Sequence, residues 1–374
     1  MNNAVAVVGT IASSIYGFRS GLIRKLISEG YTVFAFAIDY NDESKAKVKS
    51  LGAVPVDYKI SRYGVNPIRD FIDTLTLSRK LKRLNVQISF FYFVKPVIYG
   101  AMASRLANIP RSVGMLEGLG YVFTQLPGSP PVKQRILRIV QVLLYKLSLP
   151  LLDRLIVLNN DDKKDLVLKY RVAVKECSVL GGIGLQLNDY PFSKPKCYNQ
   201  FIFIGRLLTE KGINEFLDAA EAVKAKYPDA SFIILGETEP ESKSSVSLER
   251  LNLLTSQGVV QYLGQVGSVL DYLTQASVFV LPSYREGVPR STQEAMAVGR
   301  PVITSDVPGC RDTVINNVTG FLVPPFDSEA IAKKMIYFLD NPRVIDEMGK
   351  ASFEYAKENF DALKVNDSLY RLLL

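Results

Sequence analysis

Short apolar segments alternate with amphipathic helical segments along nearly the whole chain of 374 residues. Apolar runs this short are typical of strands that are buried on both faces of a parallel sheet, and the longer segments between them have the helical period. The alternation therefore predicts α/β structure, with parallel sheets covered by helices on both faces. The strands predicted in the first half are Ala4–Val8, Val33–Ile38, Val54–Tyr58, Ile88–Phe93, Ser112–Met115, Arg154–Leu158 and Cys177–Leu180.

A second series of strands begins after Tyr190–Asn199, a segment with two prolines and no clear period that we interpret as a linker. A length of 374 residues suits two or three domains at about 150 residues each. We therefore predict two doubly wound, Rossmann-like domains, at residues 1–190 and 191–357, with a cleft between the carboxyl ends of their sheets. The strands of the second series are Phe201–Ile204, Phe232–Leu235, Val259–Leu263, Val278–Leu281, Val302–Thr304 and Phe321–Val323.

The composition excludes several kinds of chemistry. The chain has no histidine, which rules out Ser-His-Asp and Cys-His catalytic systems and removes a common metal ligand. It has no Asp-x-Asp motif, and its three cysteines lack the Cys-x-x-Cys spacing of a zinc site. Such sparse cysteines favour a reducing cytosol, and no apolar run reaches the roughly 18 residues of a membrane span. We expect no bound metal.

Charge is distributed unevenly along the chain. Residues 1–190 contain 26 lysines and arginines against 14 acidic residues, a net charge of +12, whereas residues 191–374 have a net charge of −4. The imbalance predicts an anionic partner for the first half, either a membrane surface or a lipid pyrophosphate. Nucleic acid is disfavoured, because the chain has no recognised binding module and no alternation of aromatic and basic residues.

Val132–Leu152 combines an apolar stripe with basic residues distributed around it. A basic amphipathic helix can lie in the headgroup plane of an anionic membrane, or it can be an ordinary helix packed on the sheet. The net charge of the first half favours membrane contact. The basic residues are Lys133, Arg135, Arg138 and Lys146.

A predicted strand, turn and helix in the second half form the strongest functional signal. The strand Val278–Leu281 is followed by a glycine-containing turn and a helix, Ser291–Val298, that begins just after Pro289. Several backbone N–H groups then point at one spot, which makes an anion site. Glu286 on the turn and Glu294 in the helix can accept hydrogen bonds from neighbouring hydroxyl groups. The arrangement suits a phosphate flanked by two polyols, as in a nucleotide sugar.

A second loop supplies positive charge. It follows the strand Phe201–Ile204, and Gly205 allows the backbone to turn tightly. Arg206 and Lys211 then project from one loop, spaced so that both can reach a single anion. A guanidinium fork and a mobile ammonium group together can neutralise a pyrophosphate leaving group.

Loops after strands of the first half supply candidates for a second ligand. Residues 9–14 follow the first strand but lack the Gly-x-Gly-x-x-Gly pattern, which argues against a dinucleotide dehydrogenase. This loop can instead cap the phosphates of the nucleotide sugar or admit the second ligand. Residues 117–124 combine two glycines with two aromatic residues at a strand end, as expected of a loop that lines a ligand. Arg19 is a candidate contact for a pyrophosphate, with a simple surface role as the alternative. The candidate residues for this second ligand are Ser13, Ser14, Arg19, Gly118 and Tyr121.

The block around Glu286 resembles the Glu-x7-Glu signature of retaining glycosyltransferases of family 4, which have the GT-B fold. The likeness extends to Gly299-Arg-Pro-Val-Ile, Pro308-Gly-Cys-Arg-Asp and Gly320-Phe-Leu-Val. Gly205-Arg206 followed by Lys211-Gly212 resembles a second element of that family. The resemblance implies a GT-B fold with an acceptor-binding domain at residues 1–190, a nucleotide-sugar-binding domain at 191–357 and a C-terminal helix at 358–374 that packs on the first domain.

The resemblance also implies residue roles. Glu294 would bind ribose hydroxyls, Glu286 would orient the donor sugar, and Arg206 and Lys211 would hold the diphosphate. Family members often place a histidine against the donor sugar where Glu117 is nearest here, and an aspartate where this chain has Gln186. The implied catalytic residues are Glu286, Arg206, Lys211 and Glu117. The implied donor-binding residues are Gly205, Glu286, Gly287, Val288, Pro289, Arg290, Ser291 and Glu294.

Three segments, Arg62–Pro67, Lys95–Gly100 and Glu117–Thr124, resemble a bacterial subgroup that adds a sugar, often N-acetylgalactosamine, to a saccharide on undecaprenyl diphosphate. The implied activity is metal-independent, retaining transfer of a hexosyl group from a UDP-sugar in the assembly of O-antigen, capsule or a similar glycan. The implied location is cytoplasmic and peripheral, on the inner face of the cytoplasmic membrane.

Two alternatives remain open from the sequence. A nucleotide-sugar epimerase can share the same fold, but it needs acid and base groups for proton exchange. An inactive nucleotide-sugar-binding protein is the second, although the intact Arg206, Lys211, Glu286 and Glu294 argue against it.

Overall fold

The computed structural model describes residues 3–61, 66–128, 130–239 and 244–374. The chain divides into two compact units. The first comprises residues 1–119, 132–183 and 362–374, and the second comprises residues 120–131 and 184–361. Both are α/β, as predicted.

Within the described residues of the first unit, seven parallel strands form one sheet, in the order β3-β2-β1-β4-β5-β6-β7. Every residue of β1 and of β4 is buried, which explains why these segments are apolar throughout. The strands are β1 Ala4–Val8, β2 Thr32–Ala37, β3 Val54–Asp57, β4 Ile88–Tyr92, β5 Arg111–Leu116, β6 Arg154–Val157 and β7 Cys177–Val179. The helices are α1 Ala12–Phe18, α2 Ser20–Ser28, α3 Asp42–Ser50, α4 Pro67–Arg83, α5 Val94–Ala107, α6 Val132–Ser148 and α7 Asn160–Lys164.

The second unit repeats this plan. Six parallel strands among its described residues are ordered β10-β9-β8-β11-β12-β13, so the strand order reverses between β8 and β11. Ligands of open α/β sheets bind beyond the carboxyl ends of the strands at such a reversal. The strands are β8 Gln200–Ile204, β9 Ser231–Leu235, β10 Gln261–Tyr262, β11 Val278–Leu281, β12 Val302–Ser305 and β13 Gly320–Val323. The helices are α8 Ile213–Lys226, α9 Leu248–Ser256, α10 Leu270–Leu273, α11 Arg290–Ala297, α12 Ser328–Asp340 and α13 Pro342–Asn359.

The C-terminal helix, α14 at Ala362–Leu373, belongs to the first unit. It packs on α2, where Lys25 pairs with Asp367 at 3.4 Å and the Tyr31 and Tyr370 rings meet edge to face. Gly21 makes room for this contact, because a Cβ atom there would overlap the side-chain amide of Asn366.

The units divide the chain earlier than the boundary that we predicted at residue 190. The main segment of the second unit starts at Gly184, and the segment interpreted as a linker packs within this unit. The Leu185 N–H donates to the Phe360 carbonyl at 2.7 Å, and the Phe192 ring lies 5.1 Å from the Phe353 ring. Residues 120–131 also group with the second unit, which the pattern of strands and helices does not indicate.

No helix in the described parts of the chain has both the length and the apolar character needed to cross a membrane.

Candidate functional site

Three loops of the second unit meet beyond the carboxyl ends of β8, β11 and β12. Two glycines with positive φ allow this close approach. Gly212 has φ +74° and lies against the Pro282 carbonyl, and Gly309 has φ +80° and lies against the carbonyls of Glu286 and Gly287. A Cβ atom at either position would overlap those backbone atoms. The loop geometry therefore depends on glycine at both places.

Replacing Gly309 with alanine is expected to destabilise the protein for two reasons. Positive φ costs a non-glycine residue about 1–2 kcal/mol, and the overlap with the Glu286 backbone adds to this cost. The matched control is Gly258→Ala, since Gly258 has φ +70° but open space around its Cβ position. Urea denaturation should show the larger loss for Gly309→Ala; equal losses would contradict the close approach.

The Glu286 carboxylate is fixed from two sides. Lys211 and Ser283 both donate to its Oε1, Ser283 at 2.8 Å, and the Glu286 N–H donates to the Pro308 carbonyl at 3.0 Å. Its side chain is only 12% exposed. Burial, with the Glu286 charge nearby, raises the pKa of the Cys310 thiol to about 12. Cys310 therefore stays protonated and is not a nucleophile at neutral pH.

The Glu294 carboxylate has the same kind of support. Arg290 donates to its Oε1 at 2.8 Å from Nε, and the Tyr190 hydroxyl donates to the same oxygen at 2.9 Å. Burial and then the Glu294 charge raise the pKa of Tyr190 to about 12, so this hydroxyl remains a donor. Each glutamate is thus held by one cation and one hydroxyl. Carboxylates fixed in this way suit the binding of hydroxyl-rich ligands.

Arg206 has a different partner from Lys211. Its side chain is 59% exposed and donates to Glu239 at 2.8 Å. An exposed pair of this kind contributes little stability, so the guanidinium can exchange partners at small cost. The contact of Arg206 and Lys211 with one shared anion stays a prediction.

The turn between β11 and α11 contains the other residues predicted to bind the donor. The helix begins at Arg290, one residue before the predicted start, and Pro289 at its N-cap makes no side-chain capping bond. The backbone donors of the first turn, including Ser291, therefore receive no side-chain cap from Pro289. Gly287 and Val288 lie on the turn just before this helix end.

A second polar cluster lies in the first unit, beyond β1, β4 and β5. The Arg19 guanidinium forms an ion pair with Glu117 and lies 4.7 Å from the centre of the Tyr92 ring. The Tyr92 hydroxyl is hydrogen-bonded to that of Ser14 at 2.8 Å. Burial lowers the pKa of Arg19 to about 10, which still leaves it charged at neutral pH.

Arg19 is a candidate contact for a pyrophosphate, with a simple surface role as the alternative. The structure argues against the surface role, because the Arg19 side chain is 2% exposed and its charge is matched by Glu117. Contact with a pyrophosphate stays a prediction, and the ion pair holds the Glu117 carboxylate in place. Ser13 is exposed on α1, Gly118 has φ +113°, and Tyr121 begins a short 3-10 helix in the segment that groups with the second unit.

Three contact residues had no assigned role in the sequence. Tyr190 lies in the segment that we interpreted as a linker. The feature that could have indicated it is its position, since it is an aromatic residue four positions after Gln186. Ser283 and Tyr92 are polar residues at or just after strand ends, and only that position could have indicated them. Of the Arg62–Pro67 motif, residues 62–65 lie outside the described residues.

Comparison with models of known protein families gives a match in the second half of the chain. Residues 189–358 match the family model described as glycosyl transferases group 1. This segment covers the three loops around Glu286 and Glu294.

The relatives that resemble most of the chain include two transferases whose names state an activity. One is the N,N'-diacetylbacillosaminyl-diphospho-undecaprenol alpha-1,3-N-acetylgalactosaminyltransferase of Campylobacter jejuni, 27% identical over 96% of this chain and 93% of that protein. The other is the UDP-Gal:alpha-D-GlcNAc-diphosphoundecaprenol alpha-1,3-galactosyltransferase of Escherichia coli, 26% identical over 83% of this chain and 81% of that protein. Among solved structures, sucrose-phosphate synthase from Thermosynechococcus elongatus is similar with a TM-score of 0.78 and 20% identity over 99% of both chains. That similarity supports the GT-B fold.

Proposed function

We propose that the protein transfers a sugar from a UDP-sugar to a saccharide linked to a lipid diphosphate. The match of residues 189–358 to the group 1 glycosyltransferase model and the GT-B fold of the chain support this proposal. The names of the two relatives support this acceptor class, and the Escherichia coli name also supports a UDP donor. We assign the protein to the retaining enzymes of family 4, because it carries their Glu-x7-Glu block at Glu286 and Glu294.

The observation that carries the proposal is the pair of supported carboxylates. Glu286 lies on the turn that leads into α11 and Glu294 lies one turn into that helix, and each is fixed by a cation and a hydroxyl. A nucleotide sugar has hydroxyl groups on both sides of its diphosphate. The proposed binding mode therefore puts ribose hydroxyls on Glu294 and donor-sugar hydroxyls on Glu286.

Cationic side chains in the same loops are proposed to bind the diphosphate of the donor. Lys211 lies beside Glu286, and Arg206 can leave its exposed partner Glu239. With the backbone amides of Val288–Ser291, these cations would bind the phosphate oxygens and stabilise the charge that builds on UDP as it leaves.

In the proposed reaction, the bond between the anomeric carbon and the UDP oxygen breaks while the acceptor hydroxyl attacks from the same face. The hydroxyl proton passes to a phosphate oxygen of the leaving UDP, so no protein nucleophile is needed. Catalysis then consists mainly of positioning and charge stabilisation, which a chain without histidine can provide. Glu117, supported by Arg19, is proposed to help align the donor sugar.

The acceptor lipid requires access to a membrane. The first half of the chain is basic, and α6 is amphipathic. We propose peripheral contact with the anionic inner face of the cytoplasmic membrane through this half, in the assembly of O-antigen, capsule or a related surface glycan.

Release of UDP tests the reaction. The purified protein is incubated with a panel of UDP-sugars, with and without a lipid-diphosphate-linked saccharide. Release that requires one donor and the acceptor supports transfer, and a product whose anomeric configuration is opposite to that of the donor would contradict retention. Conversion of the donor to another UDP-sugar without acceptor would indicate an epimerase, and no release with any pair would contradict the proposal.

The dependence of the transfer rate on metal ions gives a separate prediction. The rate in EDTA should stay within about twofold of the rate in Mg²⁺, since lysine and arginine donors supply the positive charge. Initial rates after dialysis against EDTA measure this. A loss of rate that Mg²⁺ or Mn²⁺ restores would contradict metal independence.

A further inference from the structure

An apolar cavity of about 490 Å³ lies between α4, α5 and α6 of the first unit. This volume is within the range of about 300–1,000 Å³ that is usual for ligand pockets. Side chains from all three helices form its walls, among them Phe71, Met102, Leu106, Val140 and Leu144.

The hydroxyl groups of Tyr99 and Thr74, which line this cavity, are bonded to Asp70. The Tyr99 hydroxyl donates to the Asp70 carboxylate at 2.9 Å, and the Thr74 hydroxyl donates to the Asp70 carbonyl at 2.7 Å. Lys95 also pairs with Asp70, at 3.3 Å. Tyr99 and Thr74 therefore line the cavity mainly with carbon. A cavity of this kind suits a hydrocarbon rather than a sugar or a nucleotide.

The cavity adjoins an exposed apolar stripe on α6. The members of the stripe recur at helical spacing on one face, and each is more than half exposed. Val140 and Leu144 lie on the same helix at the border between this stripe and the cavity. A monomer that remains in water rarely leaves so continuous an apolar surface uncovered. The stripe consists of Val132, Ile136, Ile139, Leu143 and Leu147.

The charge around the cavity selects an anionic lipid. Residues 118–152 contain no aspartate or glutamate but four basic residues, Lys133, Arg135, Arg138 and Lys146. Arg105 of α5 also lines the cavity. The two acids of α4 do not offset this charge. Asp70 is buried and already paired with Lys95, and Asp73 is half-buried. A lipid with an apolar chain and an anionic head group matches this combination of apolar cavity and basic surroundings.

The direction of the cavity distinguishes between lipids. It begins near Pro67, the first residue of α4, and Tyr99 in the N-terminal half of α5. These helices follow β3 and β4, so this end lies toward the carboxyl edge of the sheet, the edge at which Arg19 and Glu117 lie. A lipid with its diphosphate at that edge can extend its chain between the helices toward Leu106.

We propose that this cavity holds the isoprenoid segment next to the diphosphate of the lipid-linked acceptor, an inference that rests on the proposed function. The stripe on α6 then lies in the membrane surface, and the cavity receives the chain directly from the bilayer.

Filling the cavity tests the proposal through chain length. In Val140→Trp the indole occupies the space between α5 and α6. Leu253→Trp is the control, because Leu253 is a 54% exposed residue on α9 of the second unit and belongs neither to the stripe nor to the cavity lining. Transfer is measured to one saccharide on a long polyprenyl diphosphate and on a short, water-soluble alkyl diphosphate.

Val140→Trp should raise the KM for the long-chain acceptor by at least about tenfold, since loss of burial for a few methylene groups reaches that ratio. The KM for the short-chain acceptor should not change, and Leu253→Trp should leave both KM values unchanged. Equal effects of Val140→Trp on the two acceptors, or no effect on either, would overturn the proposal.

Fluorescence tests the site without requiring transfer. The chain has no tryptophan, so Phe71→Trp places a single indole at the cavity and Leu253→Trp places one on α9 as a control. Vesicles of phosphatidylglycerol with undecaprenyl diphosphate should shift the emission of the Phe71→Trp variant to the blue more than vesicles without it, and the emission of the Leu253→Trp variant should be the same with both.

The outcomes of this experiment separate the site from the activity. A response of the Phe71→Trp variant to the prenyl diphosphate, in a protein that transfers no sugar, would retain the site and reject the proposed function. An equal response to both kinds of vesicle would mean that the cavity binds bulk phospholipid. No response would mean that the cavity binds no lipid chain. Either result overturns the proposal, even if sugar transfer is observed.

Discussion

Replacing Lys211 with alanine is expected to lower turnover at least about 100-fold, because the ammonium group would stabilise the charge on the departing diphosphate. Glu286→Gln should cause a loss of similar size. The glutamine keeps the shape of the side chain but loses the charge that holds Lys211 in place. Steady-state rates at saturating donor and acceptor measure both effects.

The controls for this prediction come from the same unit. Lys333 and Glu329 form an exposed pair on α12, at 2.7 Å, so Lys333→Ala and Glu329→Gln remove the same groups away from the site. Both controls should keep near-normal turnover, and all four variants should keep the wild-type circular dichroism spectrum. Turnover within a few-fold of wild type in Lys211→Ala or Glu286→Gln would contradict the assigned roles.

The largest expected effect on stability comes from Arg19. Removal of one partner of a buried ion pair leaves an uncompensated charge, which typically costs about 3–5 kcal/mol. Arg19→Met should therefore reduce the free energy of unfolding by about that amount, because Glu117 would remain charged and only slightly exposed. Urea denaturation measures this difference.

A second substitution tests whether the pair is the cause. The double variant Arg19→Met, Glu117→Gln should recover part of the lost stability, since the unpaired charge is absent. Lys333→Met is the surface control, as the exposed pair of Lys333 with Glu329 should contribute no more than about 1 kcal/mol. A loss for Arg19→Met as small as that for Lys333→Met would mean that the ion pair does not carry the effect.

The fold was predictable because burial on both faces of a parallel sheet requires continuous apolar runs. The segments Val278–Leu281 and Ala4–Val8 coincide with β11 and β1 for this reason. The strand predicted at Val259–Leu263 is shorter in the structure, only Gln261–Tyr262, because it lies at the edge of its sheet and pairs on one side. An apolar run does not distinguish an edge strand from a central one.

The candidate site was predictable where local sequence determines local geometry. A strand, a glycine-containing turn and a helix placed Glu286 and Glu294 at the right end of β11. The partners of these residues were harder to predict, because Tyr190 and Lys211 come from distant parts of the chain. Such contacts depend on how loops approach one another, and the spacing of apolar residues along the sequence does not indicate this.

The partner of Arg19 was difficult to predict for the same reason. A basic residue in a loop beside a strand end is compatible with ligand binding and with an internal ion pair. Only the position of Glu117, almost a hundred residues later in the chain, distinguishes them. The structure favours the ion pair.

The most direct measurement is the mass of the acceptor after reaction. Purified protein, a UDP-sugar panel and a lipid-diphosphate-linked saccharide are incubated in EDTA, and the lipid is analysed by mass spectrometry. We expect a gain of one sugar mass on the lipid with wild-type protein and with Lys333→Ala, and almost none with Lys211→Ala. An unchanged lipid across the whole panel would contradict the proposed transfer, and an equal gain with Lys211→Ala would contradict the role of Lys211.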